Sequence, residues 1–222
     1  MPNKTFTGVI FDFNGTIFWD TKLHNEAWDI FLAGHNLTLS DKDKAKYIHG
    51  KTNKEILNII FNSNLDKTFL DKYSLEKENI YQSLCLKNGL GFAPGAIDFI
   101  EFLRNSHIDY AIATSSGKGN IDFYFSYLHL ENWFTQEQII FNDGFIKSKP
   151  DPEIFQVAIK RMCKKSNEVI IFEDSYAGIE SAEKACAGKI IIVNSNGDDY
   201  NNYSYDVIKD FNQVNRNIFI NN

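Results

Sequence analysis

Short runs of β-branched and aromatic residues recur along this chain, each about the length of one buried strand. They lie at residues 8–13, 109–114, 168–172 and 189–193, and most are followed by helix-start signals. Runs apolar on both faces suit strands of a parallel sheet covered by helices on either side. Strand alternating with helix in this way restricts the chain to a doubly wound α/β architecture. In open sheets of that type, ligands gather beyond the carboxyl ends of the strands. The residues at those ends are polar here: Asp12 on the first run, Thr114, Ser115 and Ser116 on the second, Glu173 and Asp174 on the third.

Between the first and second runs the character changes to helical. Ala27, Trp28, Phe31 and Leu32 recur at helical spacing, and with Phe69 they are expected in the core. Ser40-Asp41-Lys42-Asp43 and Thr52-Asn53-Lys54-Glu55 read as capping boxes, each opening a helix. Residues 65–86 read as one or two further amphipathic helices. Gly89 to Gly95, rich in glycine and punctuated by Pro94, reads as a return linker and hinge. The expected organisation is a core domain of residues 1–19 and 92–222, with an inserted α-helical cap domain of residues 20–91. Later, Asp151 and Pro152 read as an N-cap and first helical residue. The asparagine-rich stretch 194–202 reads as a surface loop before a last short strand near Val207 and Ile208.

With 222 residues, 43% of them hydrophobic, the chain can bury a sizeable core. A net charge of -6 argues against nucleic acid as a partner. No apolar stretch reaches the length a bilayer needs, and no secretory signal is visible, so a cytoplasmic setting is expected. The three cysteines, Cys85, Cys163 and Cys186, lack metal-type spacing and read as reduced, mostly buried thiols. Gly50-Lys51-Thr52 superficially suggests a nucleotide phosphate loop. That pattern needs a glycine where Ala45 stands, and a preceding strand, so Thr52 is read as a helix cap instead.

The polar residues at the strand ends, together with Lys149 in Ser148-Lys149-Pro150-Asp151-Pro152, suit phosphoryl transfer. A carboxylate can attack phosphorus, hydroxyl and lysine groups can hold phosphoryl oxygens, and further carboxylates can hold Mg2+. One position interrupts this pattern. Asn14, in Asp12-Phe13-Asn14-Gly15-Thr16, is an amide where a second carboxylate would complete a nucleophile and acid/base pair.

On these residues the chain resembles the haloacid dehalogenase superfamily, in the branch of β-phosphoglucomutase-like and phosphoglycolate-phosphatase-like enzymes with a helical cap. The first motif, Asp-x-Asp-Gly-Thr/Val, is matched at Asp12, Gly15 and Thr16 and broken at Asn14. Thr114, Lys149 and the pair Glu173-Asp174 match the second, third and fourth. The resemblance implies that Asp12 forms an aspartyl-phosphate. It implies Mg2+ held by Asp12, the Asn14 main-chain carbonyl and Asp174, with Glu173 helping, and phosphoryl binding by Thr114 and Lys149, joined by main-chain amides around Ser115 and Ser116. His24 falls on the helix leading into the cap, where the two readings are a substrate role at the active-site mouth and simple packing at the hinge. Lys51 and Asn53 fall on the cap loop that reads substrate, where the mutases carry an arginine. The implied function is a monomeric phosphatase for small phosphate esters such as sugar phosphates. The alternatives are a sugar-phosphate mutase and a phosphate-ester-binding protein whose chemistry is vestigial. Because an amide cannot exchange protons near neutral pH, Asn14 leaves proton transfer to some other group, with His24 and Asp20 as candidates.

Overall fold

The computed structural model describes residues 6–219. Its centre is a six-stranded sheet in the order β3-β2-β1-β4-β5-β6, parallel throughout. The strands are β1 (Gly8–Phe11), β2 (Asp109–Gly117), β3 (Ile139–Asn142), β4 (Val169–Glu173), β5 (Lys189–Val193) and β6 (Asp206–Ile208). β1 is central because all four of its residues are buried and it has neighbours on both edges.

Alternation along β1 divides the core in two. Val9 and Phe11 face α5 (Ala96–Asn105), where Phe99 meets Phe11 edge-on at 6.0 Å and Phe172 stacks on Phe11 at 5.5 Å. Ile10 faces the other way, against Phe155 and Ala158 of α7 (Glu153–Arg161) and Ala182 of α8 (Tyr176–Lys184). Both faces are thus covered, as the unbroken apolar runs require.

Four helices separate β1 from α5: α1 (Thr21–Gly34), α2 (Asp41–Tyr47), α3 (Asn53–Ile60) and α4 (Lys67–Asn88). They share a core of their own around Trp28, Phe31, Leu32, Ile48, Ile56 and Leu57. Thr52 and Glu55 form the reciprocal capping box read from sequence, and Ser40 accepts from the Asp43 amide. The segments leaving and re-entering the sheet layer touch at a bridge between Phe18 and Phe92. The remaining helix, α6 (Lys118–Leu128), follows β2.

Several expectations need correction. β3 went unread, because its apolar run is only Ile139-Ile140-Phe141 and it lies at the sheet edge. α7 starts at Glu153, with Pro152 as its cap residue, while the Asp151 carboxylate accepts from the Glu153 amide at 3.0 Å. Phe69 is 47% exposed, since it sits in the first turn of α4. Of the three thiols only Cys85 is buried; Cys163 and Cys186 occupy left-handed turns at the surface. The stretch 194–202 is not wholly superficial, because Tyr200 is buried and its hydroxyl donates to the Asp174 carbonyl. Among the described residues no helix is long and apolar enough to cross a membrane.

Candidate active site

The sheet places its polar strand ends side by side. Asp12 follows β1, and its amide donates to the Phe172 carbonyl at 2.9 Å, which joins it to β4. β4 delivers Glu173 and Asp174, and β2 delivers Thr114. Lys149 comes from the loop after β3. Its ammonium donates to Asp12 Oδ1, to Glu173 Oε1 at 2.6 Å and to the Ala113 carbonyl at 3.3 Å. Glu173 Oε2 accepts from the Asp174 amide, the Ser175 amide and the Ser175 hydroxyl, so its carboxylate cannot turn.

Two glycines make this packing possible. At Gly178 a Cβ would lie 1.8 Å from Glu173 Oε1. Gly15 has φ +82°, and its Cβ would lie 2.1 Å from Asp174 Oδ2. Ser175 caps α8 by accepting from the Gly178 amide.

Electrostatically the cluster carries more negative charge than Lys149 can offset. Burial lifts the Asp12 carboxyl to about 7; Lys149 opposes the rise and Glu173 adds to it. Burial also pushes Asp174 well above the ordinary carboxylate range, helped by Glu173 and Asp12. Burial alone would lower Lys149, but Asp12 and Glu173 reverse this and keep it a cation. One oxygen from each of Asp12, Glu173 and Asp174 lies within 4.8 Å of the others. A buried, under-compensated set of hard oxygen donors fits a hard divalent cation such as Mg2+.

Asn14 is held in one orientation. Its Nδ2 donates to Asp20 Oδ2 at 2.6 Å and to the Tyr124 hydroxyl at 2.8 Å. Its Oδ1 accepts from Ser116 Oγ at 2.8 Å and, more weakly, from Thr114 Oγ1 at 3.4 Å. Asp20 has no exposed surface and also accepts from the Gly15 amide at 3.1 Å and from the Tyr81 hydroxyl. His24 Nε2 lies 3.3 Å from the same carboxylate, and the His24 ring stacks on Tyr81 at 3.8 Å. The amide therefore turns its donors toward Asp20 and Tyr124, and its acceptor toward the hydroxyls of β2.

A cavity of about 670 Å³ opens above this floor. Asp12, Asn14, Thr114, Ser115, Ser116 and Asp174 line its base, and His24, Lys51 and Asn53 line it from the helical layer. The structure thus brings nine of the sequence-derived candidates to one cavity, while Lys149 and Glu173 lie fully buried behind Asp12. The Ser115 hydroxyl donates to the Gly50 carbonyl at 2.8 Å, so the loop before α3 rests on β2. Sequence reasoning missed Tyr81, Tyr124, Lys77, Glu78 and Asn120. Lys77, Tyr81 and Cys85 are the buried residues of α4, and their four-residue spacing was the one available signal.

The model of the family described as haloacid dehalogenase-like hydrolase matches residues 9–192. A phosphorylated carbohydrates phosphatase from Thermotoga maritima is 28% identical over 181 residues, covering 80% of each chain. A fructose-1-phosphate phosphatase from Escherichia coli is 24% identical, covering 82% of this chain and 94% of the relative. Among solved structures, a HAD hydrolase of family IA, variant 3, from Entamoeba histolytica superposes with a TM-score of 0.85. It is 34% identical over 96% of each chain.

Proposed function

This chain belongs to the haloacid dehalogenase-like hydrolases, and from that premise we propose that it is a magnesium-dependent phosphatase for small phosphorylated metabolites such as sugar phosphates. One observation carries the reading: Asp12 and Asp174 border one cavity with Thr114, Ser115 and Ser116, and Lys149 backs them as the only cation at the cluster among the described residues. Two relatives, a phosphatase of phosphorylated carbohydrates and one of fructose 1-phosphate, support the same substrate class.

Asp12 is the nucleophile in this reading. Its carboxylate oxygen bonds to phosphorus as the ester oxygen departs, leaving an aspartyl-phosphate. Thr114 and the main-chain amides around Ser115 and Ser116 bind the phosphoryl oxygens in this reading; the Ser115 and Ser116 hydroxyls, which donate to the Gly50 carbonyl and to Asn14 Oδ1, would have to turn from those acceptors to join them. Lys149 holds Asp12 in place and keeps a positive charge beneath the transferring group. Asp12 and Asp174, with the Asn14 carbonyl and Glu173 alongside, would hold Mg2+, which supplies the charge that offsets repulsion between carboxylate and phosphate. Water then attacks phosphorus, the Asp12–phosphorus linkage breaks, and inorganic phosphate leaves.

Asn14 shapes the rates. Its Nδ2 hydrogens are committed to Asp20 and Tyr124, so the departing oxygen and the attacking water receive no acid or base from it. General acid/base help is worth about 10²–10⁴-fold. Esters with good leaving groups should therefore react best, and the aspartyl-phosphate should accumulate. The same locked amide favours a second reading, a protein that binds phosphate esters and turns them over poorly. A panel of phosphate esters assayed with Mg2+, with acid-quench trapping of the phosphoenzyme, separates the two. Turnover lost in Asp12→Asn supports the phosphatase; ester binding without turnover or phosphoenzyme supports the binding protein.

A further inference from the structure

Away from the phosphoryl site, the cavity has a second polar surface that the reaction does not use. Glu78 of α4 lines the cavity, with its side chain 18% exposed. Its Oε1 accepts from Asn53 Nδ2 of α3 at 2.7 Å and from Lys77 Nζ at 3.0 Å. Its Oε2 accepts from Asn120 Nδ2 of α6 at 2.8 Å, and Asn120 Oδ1 in turn accepts from Gln82 Nε2 at 2.9 Å. Burial works against the charged form, but Lys77 and the two amides together hold the Glu78 carboxyl below its ordinary range.

The hydrogen-bonding capacity of this cluster is unevenly spent. A carboxylate offers about four acceptor sites, and each side-chain amide offers two donor hydrogens and an acceptor oxygen. On the bonds above, Glu78 keeps one acceptor on Oε2, Asn53 keeps its Oδ1 and one hydrogen, and Asn120 keeps one hydrogen. Donors and acceptors thus alternate within a few ångströms on a surface that faces the cavity. A hydroxyl both donates and accepts, so neighbouring hydroxyls on a carbon chain match this alternation. An ammonium group fits less well, because Lys77 already neutralises the carboxylate.

We propose that Glu78, with Asn53 and Asn120, is a hydroxyl-recognition site that selects monophosphate esters of polyhydroxylated carbon chains over alkyl phosphates of the same length. This rests on the phosphatase reading above and names its substrate chemistry: a sugar or sugar-alcohol monophosphate whose hydroxyls reach α3, α4 and α6. Because Asn53 and Glu78 come from the helical insertion and Asn120 from the sheet layer, the site is complete only when the two layers meet.

The test compares a hexitol phosphate with n-hexyl phosphate, measured as kcat/KM with Mg2+ on the full chain. The wild-type protein is expected to prefer the hexitol ester by about tenfold or more, the scale of one hydrogen bond to a charged group. Glu78→Gln, which keeps the shape but exchanges an acceptor for a donor, should lower that ratio about tenfold. Asn120→Ala, on a different helix, should lower it as well, and it serves as the check should Glu78→Gln fold poorly. A wild-type ratio near one overturns the proposal, and so does a ratio unchanged in the variants. If no ester is turned over, the phosphatase reading fails on its own. The same pair of ligands is then compared by calorimetry, and equal Kd values overturn the recognition site.

Discussion

Replacing Asn14 by aspartate would restore the family's first motif, yet the structure assigns that change a specific cost. The Asn14 Nδ2 is 2.6 Å from Asp20 Oδ2, so an oxygen in its place would put two carboxylates in contact. The hydrogen bond to charged Asp20, worth about 1.5–3 kcal/mol, vanishes, while the Tyr124 hydroxyl must turn to donate to the new oxygen instead of accepting. Two unit charges about 3 Å apart at an effective dielectric near 20 repel by about 5 kcal/mol. Asn14 borders the cavity, and solvent there trims this figure. The pair escapes the repulsion by sharing one proton, as neighbouring carboxylates do. The folded variant then binds one more proton than its unfolded chain above the ordinary carboxylate range, so its stability falls as pH rises. The slope is about 1.4 kcal/mol per pH unit until the pair ionises fully. Urea unfolding of Asn14→Asp and wild type at pH 5, 6 and 7 should show a difference that widens by about 3 kcal/mol across that range. Subtracting the wild type removes the titration of Asp12 and Asp174 common to both. A difference independent of pH would refute the reasoning, since it would mean that the amide donors do not face Asp20.

Three further outcomes follow from the same cluster and its surroundings. Burial lifts Asp12 to about 7, so the folded protein loses stability as pH rises from the unfolded carboxylate range toward 7. Mg2+ should restore it, raising the unfolding temperature more at pH 8 than at pH 5; equal shifts in calorimetric scans would remove Asp12 from the cation site. Lys149→Met leaves three carboxylates without a cation and should cost about 3–5 kcal/mol in urea unfolding at pH 8. That loss should shrink at pH 5, where Asp12 is protonated, and a loss equal at both values would contradict the charge assignment. Native protein should react at two thiols, Cys163 and Cys186, while Cys85, buried and pushed up to about 12, should react with a thiol reagent only after unfolding.

How much could be read in advance depended on whether a residue's role was local. The strands around Asp12, Thr114 and Glu173 were legible because a strand buried on both faces must be apolar along its whole length. The Thr52–Glu55 box was legible because a capping bond spans only a few residues. β3 escaped because an edge strand needs little apolar length, and Phe69 misled because hydrophobicity alone does not say which side of a helix faces the core. Lys77 and Glu78 escaped for the opposite reason. A charged pair on a helix ordinarily reads as a solvated surface, and only the packing of α4 on α1 and α6 turns it inward.

Five of the six strands, the helices between β1 and α5 and the identity of the groups at the strand ends are legible from short stretches of sequence, because backbone periodicity and strand-end chemistry are local. What those groups do to one another is settled by packing alone. Lys149 is 137 residues from Asp12, Ser116 is 102 from Asn14, and Tyr124 is 110 from Asn14. The direction of an amide, the charge balance of a buried cluster and the pairing of Glu78 with Asn120 depend on distances of a few ångströms between such remote residues, and no local pattern encodes them.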